Sequence, residues 1–172
     1  MAKVLLVDTN FASAPIYSVL KGFGYTVHVI GSNPHDTLAK SAEQYWNIDY
    51  SDTAALSDLI EKEAFDYLVP GCTDRSYKSC AAVSQGRFPG IEAPDIELGM
   101  HNKEKFRAIA EKLNLPVPET QNQNGKSLYY PVIIKPVDSF SGRGITVIKN
   151  RNKKLFDSAI ELARKNSATE EY

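Results

Sequence analysis

Residues 3–31 read KVLLVDTNFASAPIYSVLKGFGYTVHVIG, and this stretch decides the fold. Its first apolar run, at 4–7, is short and continuous, which is typical of a strand buried on both faces of a parallel sheet. Apolar residues then recur between 16 and 23 at the spacing of one helical face, and a second β-rich run follows at 25–30. The stretch therefore predicts a strand, a helix and a second, parallel strand.

The same alternation continues to about residue 95. Asp52 is placed to cap a helix, the run at 67–69 predicts another strand, and a further helical face lies between 77 and 81. Alternating strands and helices indicate an α/β domain, here a doubly wound parallel sheet with right-handed crossovers. We therefore predict one Rossmann-like domain at 1–95.

A change of pattern predicts a second unit at 96–172. A helix is expected from near Asn102 to just before Asn114, and two closely spaced prolines force extended backbone after it. Two β-rich runs, 132–135 and 145–148, and a final helix complete the unit. The second unit therefore combines helices with a pair of strands, an α+β arrangement.

The composition excludes several classes of protein. The chain has 172 residues, 42% of them hydrophobic and 24% charged, with a formal net charge of −1. These values exclude a disordered tail, a fibre and a disulfide scaffold, and they give no electrostatic reason to expect a nucleic acid partner. The apolar run near Met1 is too short for a signal peptide or a membrane span, so we expect a cytoplasmic protein with no membrane partner. Two cysteines and three scattered histidines show no metal-ligand spacing.

A Ser/Gly stretch between the two β-rich runs of the second unit is the first candidate site. Its glycines let backbone N–H groups approach an anion, and its hydroxyls and arginine add donors that suit phosphate. The candidate residues are Ser139, Ser141, Gly142, Arg143 and Gly144. A position between two strands excludes a Walker motif, which opens a helix. A plain mobile hairpin is the alternative.

Two lysines extend this candidate site. Lys135 ends an apolar strand, where a lysine must either reach water or meet an anion. Lys103 lies in the first turn of the helix that begins near Asn102. For both, the alternative is a solvated surface lysine.

Residues 102–148 resemble the start of an ATP-grasp domain. In that superfamily an Asn/Asp-Lys pair opens the first helix, here Asn-Lys at 102–103, and the helix exit has the form "Gly or Asn, apolar, Pro, apolar, Pro", here at 114–118. A strand of the form "Pro, three apolar residues, Lys-Pro" at 131–136 and a Ser/Gly loop at 139–144 then follow. The order and spacing of these four elements carry the resemblance.

The first 95 residues are similar to the pre-ATP-grasp domain of the same superfamily, most closely that of proteins like the carbamoyl-phosphate synthase large subunit. The matching segments are 24–29, 32–34, 48–52 and 69–74. The resemblance thus extends over the whole chain. It implies a pre-ATP-grasp domain at 1–95, followed by the first α+β subdomain of an ATP-grasp domain at 96–172.

The resemblance implies an ATP-dependent ligase. ATP-grasp enzymes usually phosphorylate a carboxylate with ATP, and an amine, ammonia or thiol then displaces the phosphate from the acylphosphate. Lys103 and Lys135 would contact the ATP phosphates, Lys135 also near the adenine, and residues 139–144 would fold over the β- and γ-phosphates. ATP and a small carboxylate-containing substrate are the implied ligands. Such chemistry depends on charge neutralisation and on excluding water from the intermediate.

The sequence is short for this superfamily. A full ATP-grasp module continues past the last helix to an adenine-contacting hinge and to the Glu and Asn residues that bind Mg²⁺, so those ligands are expected downstream of Tyr172. We therefore expect an incomplete ATP-grasp fold that is inactive by itself, with an unpaired sheet edge that favours either a homodimer or local disorder. The alternative is a short noncatalytic relative that binds only a nucleotide or a partner subunit.

The first domain has a second candidate site at the carboxyl ends of its parallel strands, where ligands collect in open α/β sheets. The candidates for substrate contact are Asp8, Thr9, Asn10, Thr73 and Asp74. In ATP-grasp proteins this face looks toward the acceptor substrate. The alternative is that these side chains cap helices and turns.

Two other α/β classes are excluded by particular residues. A phosphoacceptor receiver domain needs paired acids after its first strand, but Thr9 follows Asp8, and Asp66 precedes its strand instead of ending it. A nicotinamide-binding fold needs Gly-x-Gly-x-x-Gly after the first strand, whereas residues 9–13 contain no glycine.

Overall fold

The computed structural model describes residues 1–121, 128–139 and 142–172. The chain divides into two compact units, Met1–Leu98 and Gly99–Tyr172. The first unit contains a parallel sheet, and the second contains an antiparallel pair of strands. Across the described ranges, no helix combines the length and the apolar character needed to cross a membrane.

The first unit is an α/β fold built on four strands: β1 (Lys3–Val7), β2 (Thr26–Gly31), β3 (Gln44–Asn47) and β4 (Tyr67–Pro70). They pair in parallel in the order β3-β2-β1-β4, which puts β1 and β2 in the centre. The helices are α1 (Ala14–Gly22), α2 (Thr37–Ser41), α3 (Thr53–Glu63) and α4 (Asp74–Ser84). The parallel α/β sheet predicted from the sequence is confirmed.

The centre of the sheet is buried on both faces. Residues Val4 to Val7 of β1 are at most 1% exposed, as their continuous apolar run predicts. Leu5 and Val7 pack on the face covered by the apolar side chains of α3 and α4. Leu6 points to the opposite face, where it packs with α1 and α2. Because successive side chains of a strand alternate between faces, β1 supplies both halves of the core.

The two edge strands depart from a purely apolar pattern. β3 falls in a mixed segment for which no strand is predicted, because an edge strand is paired on one side only and here keeps exposed residues at both ends. The strand predicted at 67–69 extends one residue further, because Pro70 is the last residue of β4 instead of ending the strand before it. A proline is tolerated there because β4 lies at the edge of the sheet.

The second unit packs one helix against a pair of strands. Its elements are α6 (Lys103–Lys112), β5 (Val132–Ile134), β6 (Thr146–Ile148) and α7 (Lys153–Lys165), and α5 (Pro94–His101) spans the division between the units. β5 and β6 are antiparallel, and Ile134 and Ile148 pack with Ala159 and Ala163 of α7. The other face exposes Ile133 and Val147, a directly opposed pair that is 63% and 52% exposed.

Both ends of α6 follow from the motif residues around it. Asn102 caps its start, because the side-chain Oδ1 accepts hydrogen bonds from the N–H groups of Glu104 and Lys105. Asn114 follows its end with φ of 55°, the left-handed conformation that asparagine tolerates better than most residues. The left-handed backbone at position 114 therefore explains why the exit motif has an asparagine there.

His28 lies on β2 and is buried, with 7% of its surface exposed. The indole Nε1 of Trp46 donates to its Nδ1 at 3.2 Å, and the ring of Phe65 meets it edge-on at 5.2 Å between centroids. Burial, and then the charge of Lys3, lower the pKa of His28 below 6.5 against a smaller opposing effect of Glu63. An Nδ1 that accepts a hydrogen bond carries no proton, so the folded chain holds this imidazole neutral.

The free energy of unfolding should therefore decrease as the pH falls from about 6.5 through the lowered pKa of folded His28. In this window the unfolded chain protonates His28 while the folded chain does not, so the unfolded state binds more protons. Urea unfolding between about pH 7.5 and 5.5 measures the slope. His28→Gln should flatten it, and His35→Gln, at an exposed histidine, should leave it unchanged. Identical slopes for the unsubstituted chain and His28→Gln would contradict this assignment.

Candidate functional site

Lys135 directly follows β5 and is partly buried. Burial, and then the positive charges of Arg107 and Lys103, lower the pKa of its ammonium group. The two charged groups that shift this pKa are both cations, so the three side chains lie within electrostatic range of one another. We call Lys103, Arg107 and Lys135 the cation cluster. An anion bound among them would relieve their mutual repulsion, so the cluster suits a multiply charged anion.

Lys103 ties the start of α6 to the beginning of the Ser/Gly loop. Its backbone N–H donates to the carbonyl oxygen of Val137 at 3.0 Å. Its Nζ donates to the carbonyl oxygen of Ser139 at 2.5 Å and approaches that of Val137 at 3.4 Å. An ammonium group has three donors, so these two carbonyls leave capacity for a further acceptor.

The described part of the loop is closed at its base. The hydroxyl of Ser139 donates to the carbonyl oxygen of Arg143 at 2.9 Å. Gly142 and Gly144 both have φ of 73°, a region that side chains rarely occupy. A Cβ at Gly144 would also lie 2.8 Å from Cγ of Pro136, so the loop closely approaches the segment that follows β5. Glycine is therefore required at 144 for both conformation and space.

The structure brings some of the predicted residues of this site together, places others in the neighbouring loop, and leaves one undescribed. Lys103 and Ser139 are in direct contact, and Lys135 lies within electrostatic range of Lys103. Gly142, Gly144 and the exposed Arg143 lie in the loop that Ser139 closes. Ser141 lies outside the described residues.

Arg107 is a member of the cluster that is absent from the predicted site residues. Its sequence signal is its position four residues after Lys103, which puts both side chains on one face of α6. Lys105 and Lys112 also lie on this helix, so the sequence alone does not single out Arg107 among its cations. Arg107 can be assigned to the cluster only when the structure places Lys103 beside the loop.

The second candidate site, at the carboxyl ends of the strands of the first unit, is largely occupied by internal hydrogen bonds. Asp8 is 3% exposed, and its carboxylate accepts from the N–H of Asn10 at 3.0 Å and the hydroxyl of Ser13 at 2.9 Å. Thr9 is equally buried and donates to Asp36 at 2.5 Å. These contacts give Asp8 and Thr9 a role in holding the loop after β1.

The other three predicted residues of this edge lie nearer to solvent. Asn10 caps the short turn that follows it, and Thr73 caps α4 by accepting from the N–H of Ser76 at 3.3 Å. Asn10 and Asp74 are exposed, and Thr73 is half-buried. Helix and turn capping, the alternative given for these residues, is therefore observed for Asn10 and Thr73.

Tyr50 joins Asp8 to Thr73, and its place here was not predicted. Its hydroxyl lies 3.5 Å from Asp8 Oδ1 and hydrogen-bonds with the side chain of Thr73. Burial raises the pKa of Tyr50, and the nearby carboxylates of Asp8 and Asp49 add to this against the opposing effects of Thr73 and Arg75. Tyr50 therefore stays protonated and serves as a hydrogen-bond donor at this edge.

Within the described ranges, no group of three or more His, Cys, Asp or Glu side chains is arranged to hold a metal ion. Within the cation cluster, the described side-chain hydrogen bonds of Lys103 are to two backbone carbonyls, which are not the ligand set of a metal site.

Comparison with known sequences gives relatives over most of the chain, although no family model matches. The formate-dependent phosphoribosylglycinamide formyltransferase of Histophilus somni is 27% identical over 168 residues, which cover 91% of this chain and 43% of that enzyme. The enzyme of the same name from Bacillus velezensis is 25% identical, covering 94% of this chain and 45% of its own length. The chain thus spans less than half the length of these curated relatives.

Solved structures share the fold at lower identity. N5-carboxyaminoimidazole ribonucleotide synthetase from Thermotoga maritima superposes with a TM-score of 0.67 at 16% identity, covering 88% of this chain and 42% of that one. An ADP complex of the same kind of synthetase gives 0.74 at 20% identity, with coverages of 94% and 44%. L-amino acid ligase from Bacillus licheniformis gives 0.71 at 16% identity, with coverages of 96% and 41%.

These relatives and structural neighbours are ATP-grasp ligases, and the likeness to the carbamoyl-phosphate synthase large subunit is consistent with them at the level of the superfamily. The predicted order of a doubly wound parallel sheet followed by the start of an ATP-grasp subdomain is confirmed. The chain therefore has the fold of the ATP-grasp ligases, as its sequence resemblance to that superfamily predicted.

Proposed function

We propose that this chain is the amino-terminal part of an ATP-dependent ligase of the ATP-grasp superfamily, and that its second unit holds the phosphates of ATP. The cation cluster beside a glycine-containing loop carries the proposal, because phosphate groups need positive charge and closely approaching donors. The curated relatives support a small carboxylate as the second substrate, since their name describes a formate-dependent enzyme.

An exposed apolar face beside the cluster supports a nucleotide in particular. Ile133 and Val147 oppose each other across β5 and β6, and both are more than half exposed. Lys135 lies two positions after Ile133, directly beyond the end of β5. A flat apolar surface next to clustered cations suits a ligand with a planar base at one end and phosphates at the other.

In the proposed reaction, ATP phosphorylates a carboxylate, and an amine, ammonia or thiol displaces phosphate from the acylphosphate. Phosphoryl transfer is accelerated mainly by positioning and by neutralising negative charge. Lys103 and Lys135 would supply that charge. The described loop residues Ser139, Gly142, Arg143 and Gly144 would approach the β- and γ-phosphates and keep water from the acylphosphate.

Mg²⁺, which the superfamily implies, does not fit the described residues of this site. Mg²⁺ prefers oxygen ligands that include one or two carboxylates, whereas the cluster consists of two lysines and an arginine. No step of the proposed reaction is therefore assigned to a metal held by these side chains. We propose that the 172 residues bind nucleotide but do not catalyse ligation by themselves.

Titration of the chain with MgATP, followed by amide chemical shifts in NMR, tests the proposal. With MgATP raised to about 10 mM, even weak binding of about 3–4 kcal/mol is detectable. We expect shifts at Lys103, Lys135, Ser139 and residues 142–144, together with Ile133 and Val147. Tripolyphosphate should shift only the first set, and adenosine only Ile133 and Val147. Shifts confined to the first unit, or none in the second, would overturn the proposal.

A further inference from the structure

Asp138 fastens the segment after α7 to the beginning of the Ser/Gly loop. Its Oδ2 accepts hydrogen bonds from the N–H of Ala168 at 3.0 Å, the N–H of Thr169 at 3.1 Å and the hydroxyl of Thr169 at 3.3 Å. The N–H of Val137 donates to the carbonyl oxygen of Glu171 at 3.4 Å. Residues 137–138 and 168–171 are therefore docked on one another across thirty positions of sequence.

Asp138 also lies between the two backbone carbonyls that hold Lys103. Those carbonyls belong to Val137 and Ser139, the residues on either side of it. The Ser139 carbonyl lies one residue further along the chain, where the hydrogen bond from the Ser139 hydroxyl to the Arg143 carbonyl also holds the backbone. The Val137 carbonyl belongs to the planar peptide unit that contains the N–H of Asp138, so fixing Asp138 restricts its direction directly. Displacing its carboxylate from residues 168–169 would release that restriction.

The carboxylate of Asp138, which holds residues 168–169, is partly buried. Burial acts to raise the pKa of Asp138, but hydrogen bonds from Ser167, Ala168 and Thr169 together hold it below its ordinary value. The side chain is therefore ionised at neutral pH. Its other oxygen, Oδ1, is buried and has no hydrogen-bond partner in the described part of the chain, an arrangement that costs stability.

We propose that Asp138 is a positioning residue of the phosphate site: by docking residues 168–169 it fixes the carbonyl of Val137 and the start of the segment that carries the carbonyl of Ser139, and these two carbonyls orient the Lys103 ammonium group toward the bound anion. The part that concerns the anion rests on the proposed function, whereas the part that concerns Lys103 does not. Docking of residues 168–169 and binding of nucleotide should then strengthen each other, because coupling between two sites is reciprocal.

Asp138→Ala in the full chain tests the inference without any ligand. The side-chain ammonium signal of Lys103 in NMR should be visible in the unsubstituted chain, where two carbonyls slow its exchange with water, and lost in the variant. Amide hydrogen exchange at Ser139 and Gly144, as well as at Ala168 and Thr169, should accelerate about tenfold or more. Amides of Ala159 and Ala163 in the core should be unaffected, which verifies that the unit is folded.

Two further variants separate positioning from a general effect of removing an acid. Asp157→Ala removes an exposed carboxylate of the same unit, which pairs with Lys153, and should change none of these signals. Asp138→Asn retains an acceptor oxygen and should restore part of the Lys103 signal. If Asp138→Ala accelerates exchange at 168–169 alone and the Lys103 signal persists, Asp138 is only a local cap and the inference fails.

MgATP titration of the same variants distinguishes this inference from the proposed function. If the unsubstituted chain binds MgATP, Asp138→Ala should weaken binding at least about fivefold, and Asp157→Ala should not. If no form binds MgATP but the Lys103 signal depends on Asp138, the proposed function fails while the positioning of Lys103 stands. If MgATP binds equally to both forms, the coupling to nucleotide is overturned.

Discussion

Gly71→Ala is expected to lower the free energy of unfolding of the first unit by about 3 kcal/mol or more, because the methyl group has no space and buried hydrogen bonds must break. A Cβ at position 71 would lie 2.3 Å from Cβ of Asp8 and 2.6 Å from Oγ of Ser13. Neither neighbour can retreat into solvent, since Asp8 is 3% and Ser13 is 0% exposed. Ser13 Oγ also accepts from the N–H of Cys72 at 3.0 Å, so moving it breaks two hydrogen bonds.

Gly22→Ala is the matched control, with an effect of opposite sign. Gly22 ends α1, and nothing lies within 4 Å of a Cβ built there. Alanine favours helix over glycine by up to about 1 kcal/mol, so this variant should be slightly more stable. Urea unfolding followed by the fluorescence of Trp46, the single tryptophan, measures both variants in the same unit. A Gly71→Ala chain as stable as the unsubstituted one would mean that β1 and β4 do not meet this closely.

The close approach at Gly71 also limits which residues of the second candidate site, at the carboxyl ends of the strands, are accessible to a ligand. Asp8 lies where ligands collect in open α/β sheets, but its carboxylate is enclosed by Ser13, Tyr50 and the backbone next to Gly71. A side chain so placed holds the loop after β1 and is not exposed to a ligand. If an acceptor substrate binds at this edge, as we propose, its contacts would fall to Asn10 and Asp74, the exposed members of the predicted set.

The sequence pattern was most informative where burial is symmetrical. A strand covered on both faces is mostly apolar or β-branched, so β1 and β2 could be predicted from the continuous runs that form them. β3 could not, because an edge strand with exposed ends needs no such run. α2 spans five residues, too few for a helical period to emerge. Elements that depend on their neighbours for stability leave little local signal.

The same limit applies to the proposed phosphate site. Lys103, Lys135 and the loop glycines are part of the prediction because their spacing resembles a motif of the ATP-grasp superfamily. Arg107 and Asp138 are not part of it, because the contacts that favour them lie across the fold. Asp138 accepts from residues thirty positions away, and nothing in the local sequence distinguishes it from an exposed loop acid.

Lys135→Ala is expected to weaken the binding of MgATP by about 10- to 100-fold, or beyond detection, since a charge-assisted hydrogen bond contributes about 1.5–3 kcal/mol. Lys135 is partly buried, and the other cations of the cluster already lower the pKa of its ammonium group. An anion placed among the three cations would interact with all of them at low exposure to solvent, where screening by salt is weak. Calorimetry, or the NMR titration where affinity is low, gives the dissociation constant.

Lys153→Ala provides the control, because it removes the same charge from an exposed position of the same unit. The Lys153 side chain is 88% exposed and pairs with Asp157 on the surface of α7. Its loss should change the affinity by less than about twofold, since exposed charges are screened by water and salt. If Lys135→Ala and Lys153→Ala weaken MgATP binding equally, and added salt removes both effects, the attraction is a property of net charge. A large effect of Lys135 alone, retained in salt, requires a phosphate in direct contact with the cluster.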